Sequence, residues 1–182
     1  IGSGLVGSEM CIRDRPYLRH KKVSENFQND FSQREFYSSQ AGSERIAYIN
    51  DNTDALLYRL QIIQQAEQEI ILSTFDFNAD KGGKDVMAAL MSAADRGVKV
   101  RVIIDGFSGF LDVKGKETQW FQALASHENI SLRIYNPLTP LKPWKMQARL
   151  HDKYLIIDHQ MFLLGGRNTT NLFLGDYSKS KN

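Results

Sequence analysis

Three short apolar runs, separated by stretches of helical periodicity, set the strongest limit on how this chain can fold. Glu69 to Phe77 reads Glu-Ile-Ile-Leu-Ser-Thr-Phe-Asp-Phe, a buried strand. Val98 to Asp105 places Val98, Val100, Val102 and Ile104 on one side, and Ile130 to Tyr135 is a third strand. Between them, Leu56, Leu57, Leu60, Ile63 and Ala66 recur at helical spacing behind the start cluster Asp51-Asn52-Thr53-Asp54. Val86, Met87, Leu90, Ala93 and Ala94 form a second stripe after a loop at Asp80-Lys81-Gly82-Gly83, and Gly97 falls where a helix C-cap belongs. Trp120, Phe121 and Leu124 mark a third helix. With a short strand at Ile46 to Ile49, the order is β-α-β-α-β-α-β-β. This predicts an α/β domain: a mixed, largely parallel sheet with helices on both faces.

The chain has 182 residues, 42% of them hydrophobic, enough for one compact domain with a core. A net charge of +2 gives no compositional case for nucleic-acid binding. Cys11 is the sole cysteine, so there is no disulfide framework, and no His, Asp and Glu cluster at ligand spacing suggests a metal or other cofactor. No run approaches the ~20 apolar residues of a membrane span, so membrane contact is expected to be peripheral. Residues 1–15 resemble translated sequencing-adapter sequence and are read as a foreign tail. Residues 16–44 are a polar arm or linker, and 45–182 the folded lobe, read as truncated at its C-terminal end.

The chemistry concentrates in Arg149-Leu150-His151-Asp152-Lys153-Tyr154-Leu155-Ile156-Ile157-Asp158, running on to Gly165-Gly166-Arg167-Asn168. Read as a strand, it projects His151 and Lys153 to one side, two residues apart. An imidazole nucleophile beside a fixed ammonium suits attack on a phosphate: the nitrogen attacks, and the lysine offsets charge on the non-bridging oxygens. Gly165 and Gly166 let backbone approach a ligand, while Asn168 and Thr169 can donate to phosphate and cap a following helix. Asp158 has the opposite parity from His151, so a turn-holding role competes with a catalytic one. Asp76 and Asp105 end strands, where α/β sheets place ligands, although turn and cap roles are commoner there. His127 and His159 read as surface or turn residues. The segment from Asn136 to Lys153 carries three prolines and four basic residues against one acid, with Trp144 between them. It reads either as a loop facing an anionic head group or as an ordinary connection.

The pattern His-x-Lys-x4-Asp-x6-Gly-Gly-x-Asn resembles the signature of the phospholipase D superfamily, and Gly-Gly-Arg-Asn is similar to bacterial cardiolipin synthases and related proteins. The resemblance spans roughly Arg45 to Asp176. It implies a phosphodiesterase or phosphatidyltransferase that acts through a phosphohistidine at His151. Lys153 and Asn168 would hold the phosphate, with Gly165 and Gly166 beside them, and Asp158 would take the supporting position of the family aspartate.

Family sites use two such motifs, one histidine as nucleophile and the other as general acid, and this chain has one. The resemblance therefore implies a second motif-bearing lobe, in the same parent chain or in a homodimer partner. The reading favoured is the N-terminal half of an enzyme acting on phospholipid, cytoplasmic or peripheral at the inner face of a bacterial membrane. A homodimeric nuclease-type phosphodiesterase and a non-catalytic phosphate- or phospholipid-binding lobe are the alternatives; nucleic acid is the less favoured partner.

Overall fold

The structure is a computed structural model that describes residues 42–107, 118–137 and 148–177. The tail at 1–15, the arm up to residue 41 and most of the proline-containing loop, Trp144 included, lie outside the described residues. The chain divides into Ile1–Ala47 and a second unit, Tyr48–Asn182, which holds all of the elements below.

Helix α1 (Asn52–Gln65) leads into strand β1 (Glu69–Thr74); α2 (Lys81–Asp95) and β2 (Lys99–Asp105) follow, then α3 (Thr118–Ser126) and β3 (Ile130–Tyr135). The chain closes with the hairpin β4 (Lys153–Ile157) and β5 (Met161–Leu164). Strand order is β3-β2-β1-β4-β5, with β1, β2 and β3 parallel and the hairpin antiparallel to β1. The mixed sheet expected from the alternation is present.

Its local causes are readable. The Asp51 carboxylate caps α1, accepting from the Thr53 and Asp54 N–H groups. At the other end, Arg96 Nη2 donates to the carbonyls of Ile63, Gln64 and Ala66, helping to satisfy the acceptors left at the helix terminus. Gly97 takes φ +94° just past α2, a left-handed position suited to glycine.

The core forms where the helical stripes meet one sheet face. Ile70, Leu72, Val100, Val102, Ile104, Leu155 and Ile157 are buried there with Ile63, Val86, Met87, Leu90, Phe121 and Leu124. The crossovers through α2 and α3 step the same way across the sheet, so right-handed connections put both helices on one side. Accordingly, α2 packs against both α1 and α3. Among the described residues the helices thus form one layer, and the expected second layer is not seen. On the opposite face Ile71, Ile103 and Ile156 are half-buried, and Phe162 and Leu164 are exposed by 60% and 71%.

Two boundaries differ from expectation. Ile46–Ile49 is not a strand: Ile46 is 98% exposed, and the sheet's edges are β3 and β5, so no ladder partner defines it. Asp80 to Gly83 is the start of α2 rather than a loop. The Asp80 carboxylate accepts from Gly83 N–H at 3.0 Å, an N-cap contact that makes Lys81 to Gly83 the first turn. The glycines mask a helix start because glycine is a poor helix former, yet here one is required. A Cβ at Gly83 would lie 1.7 Å from the Asn78 carbonyl oxygen, whereas at Gly82 the nearest atoms are 3.4 Å away. Alanine normally gains about 1 kcal/mol over glycine in a helix. Gly83→Ala should nevertheless destabilise by about 1–3 kcal/mol through backbone displacement, while Gly82→Ala should be neutral or stabilising. Urea unfolding of both variants measures the contrast.

Candidate active site

The carboxyl end of β1 is where the motif residues gather. Lys153, first residue of β4, pairs with Thr74, the last of β1. His151 lies just before the strand and is exposed, whereas Lys153 is only 9% exposed. The Lys153 ammonium donates to the His151 carbonyl oxygen at 2.7 Å, tying the motif's two polar groups into one short arc. Phe75 sits between them. Its ring centroid is 5.1 Å from that of His151, tilted by 60°, and the Lys153 Nζ lies 5.6 Å from the same ring. Sequence reasoning passed over Phe75; its place directly after β1, between buried Thr74 and buried Phe77, was the available signal.

The return of the hairpin brings in the rest. Gly165 N–H donates to the Lys153 carbonyl at 3.2 Å. A Cβ at Gly165 or Gly166 would meet nothing within 4 Å, and neither has a positive φ. Internal packing therefore does not require glycine there, which suits close approach from outside. Thr169 forms a bridge with Phe77, its N–H donating to the Asp76 carbonyl and its own carbonyl accepting from Asn78 N–H. Asn168 is thereby fixed beside the end of β1, with its Oδ1 buried and unpartnered. Residues 170–175 form turns and bends rather than the helix expected after Asn168, so that capping role is absent.

Asp158 does not join the group. Seven residues of extended chain, roughly 23 Å, separate it from His151. It occupies the turn after β4 with φ 50°. There its carboxylate accepts from the N–H groups of Glu67, Gln68 and Glu69 at 2.9, 2.8 and 2.7 Å. These bonds tether the hairpin tip against the entry to β1, the turn-holding role that competes with a catalytic one for Asp158. His159 beside it pairs with Glu69 at 3.1 Å. A cleft of about 620 Å³ lies at this opposite edge, lined by Gln64, Glu67 and Asp158 among others, and does not include His151.

Asp105 ends β2 fully buried, and its carboxylate accepts from Phe107 N–H, Leu150 N–H and Arg149 Nη1. Arg149 Nη2 donates to the Asn136 carbonyl, and Asn136 Nδ2 donates to that of Ala148. This network anchors the chain immediately before His151. Asp76 contributes its backbone carbonyl to Thr169 and to the Thr74 hydroxyl. His127 is remote, at 3.1 Å from Asp95. Among the described residues no group of three or more His, Cys, Asp or Glu could hold a metal.

The family model for the cardiolipin synthase, phospholipase D-like domain matches residues 60–174, more than half of the chain. The chain belongs to this phospholipase D-like family. It is 34% identical over 119 residues to cardiolipin synthase B of Salmonella typhi, covering 64% of this chain and 28% of that protein. It is 31% identical over 134 residues to an uncharacterised protein of Helicobacter pylori, covering 66% of this chain and 25% of that one. The chain thus spans about a quarter of the length of these relatives. The NucT structure from Helicobacter pylori has a similar fold: TM-score 0.52, 22% identity, covering 69% of this chain and 80% of that one.

Burial pushes the Lys153 ammonium below its ordinary pKa, against the opposing pull of Asp152. Its charged form is thus less favoured folded than unfolded. That cost is fully present below the folded pKa and fades as pH rises toward 10.5. Lys153→Met should therefore melt no lower than the parent at neutral pH, as read by circular dichroism; a lower midpoint would show a packing role.

For Asp158 burial alone would raise the pKa, but the backbone N–H donors and nearby His159 outweigh it, and the carboxyl is held below its ordinary value. Its contribution is present above the unfolded value near 3.8 and is lost as pH falls through the lower folded one. Asp158→Ala should cost about 1.5–3 kcal/mol at pH 7, and progressively less as pH falls below 3.8, in denaturant titrations across that range.

Proposed function

We propose that this chain is one lobe of a phosphodiester-cleaving or phosphatidyl-transferring enzyme acting on phospholipid, with His151 as its nucleophile. The observation that carries the reading is the convergence of His151, Lys153, Gly165, Gly166 and Asn168 at the carboxyl end of β1. Family membership and the likeness to cardiolipin synthase B support the lipid class. In this reading an imidazole nitrogen of His151 attacks phosphorus and the phosphorus–oxygen bond to the leaving alcohol breaks. The product is a phosphohistidine, which water or an acceptor alcohol then resolves. Lys153 and Asn168 stabilise the charge that develops on the non-bridging oxygens. Gly165 and Gly166 allow the phosphate to reach them. Phe75 limits the swing of the imidazole.

One imidazole cannot both attack and protonate the leaving oxygen in the same step, and the motif occurs once between Ile1 and Asn182. The general acid is therefore assigned to a second motif-bearing lobe, in the parent polypeptide or a second copy. No helix among the described residues is long and apolar enough to cross a membrane; approach to lipid would be peripheral.

His151→Ala should abolish turnover while leaving the melting midpoint almost unchanged, because the exposed ring contributes little packing. In the active assembly, rapid quench with radiolabelled phosphatidylglycerol should trap label on parent His151 and none on the variant. Retention of the parental rate would sink the proposal. Lys153→Met should lower the rate by about 10²–10³, and Lys153→Arg by less. Residues 16–182 alone should be inactive as a monomer, tested by turnover against protein concentration with light scattering in parallel. Plasmid nicking that appears only with a dimer would instead favour the nuclease-type reading.

A further inference from the structure

Arg59 presents an unbalanced charge. It lies on α1 and is 5% exposed, yet among the described residues its one hydrogen-bond partner is the Ala55 carbonyl one turn back, which accepts from Nη1 at 2.9 Å. That bond draws the guanidinium toward the start of the helix. Asn52, on the same helix face two turns earlier, accepts from Arg167 Nε at 3.1 Å. The remaining contacts of Arg167 are the carbonyls of Ile49 and Asn50, the latter exposed to solvent. Two guanidinium groups therefore converge beside the Gly165–Asn168 loop. Among the described residues no carboxylate pairs with either one. Asp51, the acid nearest the helix start, turns Oδ1 onto the N–H groups of Thr53 and Asp54. Burial and the proximity of Arg167 together lower the Arg59 pKa to about 10.

An arginine removed from water without an anionic partner costs stability. Carbonyls satisfy some of its donors, but they cancel none of its charge. Two such groups held by fixed backbone contacts match the oxygens of a tetrahedral oxyanion.

We propose that Arg59 and Arg167 form a second phosphate subsite beside the motif loop, filled by free phosphate or by a phosphate of the bound substrate. Arg167 links this subsite to the main one, since it lies between Gly166 and Asn168. Assignment to the substrate rests on the function proposed above; anion binding itself does not.

The test is thermal unfolding of the whole chain at constant ionic strength, with titration of inorganic phosphate and, separately, of soluble dihexanoyl phosphatidylglycerol. The parent, Lys153→Met, Arg59→Met and the double variant are compared. In Lys153→Met, which removes a cation from the main site, a phosphate-dependent rise should persist. In the double variant it should vanish, or need ~10-fold more ligand. Without ligand, Arg59→Met should melt at or above the parent. A response to inorganic phosphate identifies the free anion, and one to the lipid the esterified group. Either supports the subsite if it depends on Arg59. A rise abolished by Lys153→Met alone, or one untouched by Arg59→Met, overturns it. So does a ligand-free loss of stability in Arg59→Met, which would make Arg59 a structural arginine. Each readout is binding or stability, so an inactive His151 leaves the outcome unaffected.

Discussion

The pairing of β1 with β4 is the constraint on which the candidate site depends. Thr74 opposite Lys153 sets the register, and each residue of the site takes its place from it. Parallel β2 on the other flank holds β1 within the sheet, and the buried row of Ile70 and Leu72 locks its face. A one-residue slip would turn Lys153 to the opposite face and expose Leu155 and Ile157. Hydrophobic burial along the strand thus protects the geometry of the polar groups at its end.

The same pairing explains a division of labour within the motif. The groups proposed to react stand at the carboxyl end of β1, where parallel strands finish and loops gather. At the other end, one carboxylate collects three backbone donors. The tether and the proposed reacting groups are separated by the length of a strand. Lys153 shows why this matters: its ammonium is poorly solvated, so the site is costly to hold and its support comes from elsewhere.

Much of this was legible in the residues because burial follows period. The apolar stripe Val86, Met87, Leu90, Ala93 and Ala94 of α2 is buried, and so are the alternating Val98, Val100, Val102 and Ile104 leading into and along β2. His151, Lys153, Gly165, Gly166 and Asn168 could be grouped from spacing alone. What escaped reading depended on partners distant in sequence. Ile46–Ile49 is a short apolar run like a strand but has no ladder. Gly82 and Gly83 look like a loop until the Asp80 cap and the Asn78 carbonyl beside Gly83 show a helix start. Phe75 becomes a platform only when β4 brings His151 beside it. The parity of Asp158 correctly removed it from the His151 face, but nothing local revealed the three N–H groups, some ninety residues earlier, that it serves.

The tether at Asp158 also gives meaning to the four residues between Lys153 and itself. They are a measure of distance. Tyr154 to Ile157 span the paired rungs of β4, so one end of the motif reaches the carboxyl end of β1 as the other reaches its entry. An insertion within that interval would have to bulge out of the ladder, and a deletion would pull one end from its station. Read this way, the spacing His-x-Lys-x4-Asp is a ruler laid along a strand, whose terminal mark is a structural anchor.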